Sequence, residues 1–147
     1  MPATPARRAV PQHLAELARH RLAVMATLHP DGRPQLSLVQ QHTHDGVIDI
    51  SLTERRVKTR NLHHDPRAAI MILPAGSDRF VVADGRADLS PTSTAPGDET
   101  GRRLRDLYRA LAGEHPDWDD YLRAMVHDRR LIATITIDHT YDGGAHS

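Results

Sequence analysis

At 147 residues and without cysteine, the chain is long enough for one packed domain and excludes both a disulfide framework and thiolate chemistry. Lys and Arg (19) balance Asp and Glu (19), so no overall field draws it to nucleic acid or to an anionic membrane. Three tyrosines, one tryptophan and one phenylalanine leave few rings for base stacking. No apolar run approaches the ~20 residues that cross a bilayer, and "MPATPARRAVPQ" lacks an apolar signal core. The expectation is a cytoplasmic protein with no nucleic-acid or membrane partner.

Residues 1–10, rich in Pro, Ala and Arg, read as a flexible N-terminus, followed by a single domain over 11–141 and a flexible tail over 142–147. "PQHLAELARHR" has a helical spacing that puts Leu14, Leu17 and Ala18 on one face. "LAVMATLHPDGRPQLSLVQQHTHDGVIDISL" then gives three β-like runs separated by the turn signals "HPDG" and "HDG", an antiparallel meander. A helix over 54–64 must stop before "DPR", because the residue preceding a proline is pushed out of the helical region.

"RAAIMIL" and "RFVVADGRADL" form the next two strands around the turn "PAGSD". Leu104, Leu107, Tyr108 and Leu111 fall at i, i+3, i+4 and i+7 of a helix that runs to about Ala112. "HPDWDDYLRAMVHD" gives another helix, opening with Pro116, and the β-branched "LIATITID" a last strand. Six short strands with helices between them predict a mainly β, six-stranded antiparallel barrel with helical additions, closed so that no strand edge is left exposed. Such a small barrel is filled by its own side chains. A ligand must therefore lie outside it, at the rim or between two barrels.

"TERRVKTRN", residues 53–61, is the most unusual stretch. Arg55, Arg56, Lys58 and Arg60 crowd the start of a helix, and Lys58 is the chain's single lysine. The first turn of a helix carries free N–H groups and partial positive charge, so cations there cost typically ~0.3–1 kcal/mol each. The same arrangement becomes favourable when an anion docks. Without a ligand these arginines would be a solvated face paired with Glu54 or Asp65.

"DGRPQLSLVQ", "TERRVKTRNLHHDPRAAI" and "LYRALAGEHPDWDDYLRAMVHDRR" resemble the split-barrel oxidoreductases related to pyridoxamine phosphate oxidase, and within them the actinobacterial branch that uses the deazaflavin coenzyme F420. The resemblance spans about Leu14 to Tyr141. It implies a split β-barrel of the FMN-binding type and a homodimer with cofactor sites at the subunit interface. It further implies that Arg56, Lys58 and Thr59 bind the cofactor phosphate, flanked by Arg60 and Asn61. Helical spacing places 56, 59 and 60 on one face and 55 and 58 elsewhere, which makes Arg55 a spectator.

Gln35 and Ser37 alternate with Leu36 and Leu38 along the second strand, and the resemblance puts such polar groups against the flavin-like ring. Leu38 departs from related sequences, which often carry a polar residue there. Asp78 stands where relatives often carry tryptophan against the partner subunit's cofactor. Arg79 next to it could meet the acidic tail of F420. The resemblance also brings His139 near the cofactor.

His42, His44, His63 and His64 complete no metal-ligand pattern, so no metal is expected. No G-x-S-x-G turn is present, and no catalytic residue is assigned. The resemblance implies hydride transfer between F420 and an unidentified small organic substrate with an electron-poor double bond. Two readings stay open beside it: an FMN-dependent oxidase or reductase of the same barrel, and a non-catalytic F420 carrier.

Overall fold

Turn chemistry sets the first three strands. β1 (Leu22–Leu28) turns into β2 (Pro34–His44) through "HPDG", where the Gly32 amide donates to the His29 carbonyl at 2.8 Å. β2 turns into β3 (Val47–Thr53) through Asp45 and Gly46, at φ 50° and 78°. Two successive positive φ values mark the hairpin turn whose twist matches that of its strands, and Asp-Gly suits them. β4 (Arg67–Ile72), β5 (Arg79–Leu89) and β6 (Arg130–Gly144) complete a closed antiparallel barrel in the order β1-β2-β3-β6-β5-β4. This computed structural model describes residues 6–145, with side chains from Gln12 onward.

The expected strands and closed barrel are present. Alternate residues fill the interior: Ile48, Ile50 and Leu52 from β3, Ile70 and Ile72 from β4, and Leu131, Ala133 and Ile135 from β6 are all buried. β5 and β6 shift register between Asp84 and Gly85, and a Cβ on Gly85 would sit 2.1 Å from the Thr136 carbonyl oxygen. Only glycine allows the two strands to approach so closely at this irregularity.

Among the described residues, four helices complete the fold. α1 (Ala6–Arg19) lies at one end of the barrel, where the Gln41 amide donates to the Leu17 carbonyl at 2.6 Å and to that of His20. α2 (Val57–His64) crosses the opposite end, with Leu62 in the core. α3 (Glu99–Ala112) and α4 (Trp118–His127) pack outside the sheet, where Leu104, Leu107 and Tyr121 bury the outward side chain of Ile132.

Three boundaries differ from expectation. α1 begins at Ala6, because the good helix formers of residues 6–10 extend it backwards; residues 1–5 lie outside the described residues. β6 continues to Gly144, paired with Arg79, so 142–144 belong to the sheet instead of a tail. Gly143 makes this possible by lying under the Phe80 ring, where a Cβ would stand 2.7 Å from the ring edge. α2 starts at Val57, three residues late: the Glu54 amide donates to Arg129 of β6's approach and the Arg56 amide closes a turn on Thr53.

The ladder between β2 and β3 decides where a ligand can sit. It runs only from Gln41↔Ile50 to His44↔Val47. Beyond Gln41, β2 pairs with β1 alone, while Ser51, Leu52 and Thr53 pair with β6. The two strands part at this end, and the gap between them is the split of the barrel.

Candidate cofactor groove

A cavity of about 630 Å³ occupies the split. Leu38 and Gln40 of β2 and Ser51 and Thr53 of β3 form its floor, and Leu107, Tyr108, Leu111 and Met125 of the outer helices form an apolar wall. Three cations, Arg56, Lys58 and Arg130, line the same cavity. None of the three enters an ion pair among the described residues; the neighbouring carboxylates Asp65 and Glu54 are taken by Arg67 and Arg129. The groove therefore combines positive charge with apolar surface.

Local structure explains the cations' placement. Arg56 is the N-cap of α2, in extended conformation with no side-chain cap bond, and Lys58 is the second helical residue. Because Arg56 precedes the helix, helical spacing does not govern it, and Arg56 and Lys58 converge on one cavity where spacing alone separated them. Burial first, then the charges of Arg56 and Arg130, hold the Lys58 ammonium below its ordinary pKa. No acidic residue in the first turn offsets this. Arg55 is exposed and does not line the cavity.

Thr59 and Asn61 have structural partners. The buried Thr59 hydroxyl donates to the Thr53 carbonyl at 2.7 Å, tying α2 to the end of β3. The Asn61 amide donates to the Thr27 hydroxyl at 3.1 Å, and that hydroxyl donates to Gln35 Oε1 at 3.3 Å. Gln35, Thr27 and Asn61 thus form one polar chain under the helix. Arg60 is exposed and outside the cavity.

Ser37 shares the inward face of β2 with Val39 and Gln41, and its buried hydroxyl has no hydrogen-bond partner among the described residues. The outward face carries Leu36 and Leu38, 65% and 69% exposed, and of the two Leu38 lines the cavity with the cations. The outward β2 side chains that line the groove are therefore Leu38 and Gln40, while the polar pair of the sequence reading faces inward.

Arg79 and His139 lie elsewhere in this chain. Arg79 approaches Asp142 at 3.4 Å beside a separate cavity of about 330 Å³ lined by His13 and Glu16 of α1. His139 Nδ1 stands 3.5 Å from Asp84 Oδ2, and its ring is tilted against Tyr141. Neither meets the cations within one subunit. Among the described residues no group of three or more His, Cys, Asp or Glu side chains could hold a metal ion.

Sequence reading missed Arg130 and the aromatic wall. Tyr121 packs with Tyr108 at 5.1 Å between centroids, and its hydroxyl donates to the Leu104 carbonyl at 3.0 Å. Burial pushes the Tyr121 phenol up to about 12, so it remains a donor at neutral pH. The doublet "RRL" before the last strand was the available signal for Arg130, but its use required knowing that β6 lies beside β3.

The pyridoxamine 5'-phosphate oxidase family model matches residues 9–141. The chain belongs to this family. Solved structures with the same fold include an F420 reductase, 21% identical with a TM-score of 0.65, covering 86% of this chain and 94% of that one. The conserved hypothetical protein Rv2991 of Mycobacterium tuberculosis is 20% identical with a TM-score of 0.70, covering 92% and 84%. The heme storage protein HutZ of Vibrio cholerae is 12% identical with a TM-score of 0.65, covering 94% of each chain. At these identities the likeness extends to the fold, and the family fold serves proteins of different function.

Proposed function

We propose that the protein is an F420-dependent oxidoreductase, active as a homodimer, that passes a hydride between the deazaflavin and a small electron-poor organic substrate. The observation that carries the reading is the pairing of unneutralised Arg56 and Lys58 with exposed Leu38 and the apolar wall of α3 and α4 in one cavity at the split of the barrel. That donor set fits a phosphate-bearing cofactor with a flat, largely apolar ring. The "RVKTRN" resemblance and the fold-level likeness to an F420 reductase favour the deazaflavin.

In this reading Arg56 and Lys58 hold the phosphate, and the leucine face of β2 receives the ring. The β2 main chain in the split, free of β3, supplies donors and acceptors to the ring edge, because the Gln35 amide is already engaged with Thr27. The α3–α4 wall excludes water from one side. A second copy of the chain, seated over the exposed Leu36 and Leu38, closes the other side. Bound F420 would supply the hydride. No side chain is assigned as proton donor.

FMN is the second reading, since its phosphate monoester dianion also suits a group of cations. Titration of the purified chain with each cofactor across a salt series decides between them. F420, with an anionic tail beyond its phosphate, should bind more tightly at low salt, and its advantage should shrink as surface charges are screened over ~8 Å at physiological ionic strength. Tighter FMN binding at every salt concentration favours the flavin. Reduced F420 should be oxidised faster by an enone or quinone with the protein present; tight binding without acceleration across a panel of such acceptors points to a carrier. Sedimentation should give about twice the 16.4 kDa chain mass.

A further inference from the structure

Arg56 and Lys58 both come from the connection after β3. Arg130 faces the same cavity from a different element, at the first residue of β6, opposite Thr53 in the β3–β6 ladder. Its neighbour Arg129 adopts φ 53° and turns to Glu54, satisfying that carboxylate. Arg130 turns the other way. Its Nε is fully buried without a hydrogen-bond partner among the described residues, and Nη1 reaches the Ser51 hydroxyl at 3.4 Å.

A buried guanidinium N–H without an acceptor is unfavourable, and it is more so beside two like charges. The mutual repulsion is visible at Lys58, whose pKa is depressed by burial and then by Arg56 and Arg130. No described carboxylate offsets it. An incoming anion meeting the cavity-lining part of the guanidinium would neutralise all three cations in one step.

We propose that Arg130 is a third anion ligand of the groove, closing around the phosphate-ester group that Arg56 and Lys58 hold. This rests on the phosphate reading of the groove. The site then joins two elements distant in sequence, and its geometry depends on the β3–β6 ladder as well as on the α2 start.

Lys58 is the single lysine, so full-length protein labelled with 13C at lysine Cε gives one lysine side-chain resonance that reports the site directly. Its pH titration is followed with and without inorganic phosphate in wild type, Arg130→Gln, Arg130→Lys and Arg55→Gln. Phosphate should raise the Lys58 pKa in wild type. Arg130→Gln should raise it without phosphate, through loss of a like charge, and should weaken phosphate binding at least tenfold.

Arg130→Lys keeps charge and stem and guards against a glutamine variant that fails to fold; it adds a second lysine resonance, which comparison with the wild-type spectrum separates from that of Lys58. It should titrate Lys58 as wild type does yet bind phosphate severalfold more weakly, because the donor fork is lost. Arg55→Gln should change neither. An Arg130→Gln protein with wild-type phosphate affinity, or a wild-type Lys58 resonance that ignores phosphate, overturns the proposal. F420 and FMN titrations of the same proteins separate the two readings. If Arg130→Gln weakens phosphate binding but wild type binds neither cofactor, the cradle stands and the cofactor assignment falls. If cofactors bind wild type and Arg130→Gln equally, the cradle falls and the cofactor assignment stands.

Discussion

Replacing Lys58 with methionine keeps the half-buried methylene stem against the cavity wall and deletes only the charge. Lys58 sits in the first turn of α2, where no acidic residue and no side-chain cap compensates the free N–H groups. A cation there costs ~0.3–1 kcal/mol, and repulsion from Arg56 and Arg130 acts in the same direction. The cofactor-free variant should therefore be as stable as wild type or more stable, by up to about 1 kcal/mol. For a chain of this length that is a rise of about 2–4 °C in Tm. Binding should move the opposite way. Loss of a hydrogen bond to a charged group removes ~1.5–3 kcal/mol, or roughly a 10- to 150-fold increase in Kd for the phosphate-bearing cofactor. Thermal unfolding in low-salt, phosphate-free buffer and calorimetric titration of the same preparations measure both. A clear drop in cofactor-free Tm would show that Lys58 is a structural ion-pair partner, and unchanged affinity would remove it from the anion site.

Asn61→Ala should behave in the reverse sense, because its amide is engaged with Thr27: ~1 kcal/mol or more of stability lost in urea unfolding, with phosphate affinity within twofold of wild type. A large affinity loss at unchanged stability would instead make Asn61 a ligand. Gly85→Ala drives a Cβ into the Thr136 carbonyl oxygen and should cost at least ~1–3 kcal/mol, the range for overpacking; a variant as stable as wild type would contradict the close β5–β6 approach. Burial alone would raise the pKa of Asp98, but the amides of Thr94, Gly101 and Ala95 and the Ser93 hydroxyl outweigh it and hold the carboxyl at about 2. Its folded value lies below its ordinary 3.8, so its contribution is complete above about pH 4 and disappears as pH falls through 2. Asp98 is the N-cap of α3, so Asp98→Ala should lose ~1–2 kcal/mol at pH 7, with the difference from wild type shrinking between pH 4 and 2; a pH-independent difference in urea unfolding would refute this carboxylate cap.

Much of the architecture was legible because the signals are local. Strand alternation, the Asp45-Gly46 turn, the Pro66 stop and the apolar spacing of α3 each depend on residues within one or two turns of chain. The same holds for the cationic start of α2, whose residues identify themselves by type and crowding. Thr59 and Asn61 were legible as members of that motif but not in their roles, because the partners that engage them, Thr53 and Thr27, are fixed by how α2 crosses the barrel end.

The groove itself is a tertiary fact. Side-chain alternation groups Gln35 with Ser37, but which face of β2 turns inward depends on the closed barrel, and closure gives the groove to Leu38 and Gln40. Arg130 lies more than seventy residues from Lys58 in sequence and reaches it because β6 pairs with β3, a neighbour relation that no local pattern encodes. The sequence by itself determined a six-stranded antiparallel barrel and a cationic segment made for an anion. Only the tertiary structure decided that β2 and β3 part beyond Gln41, opening the space in which those cations meet an apolar wall. The physical reason is that propensity and periodicity act over a few residues, whereas strand register and burial are set by the whole chain packing at once.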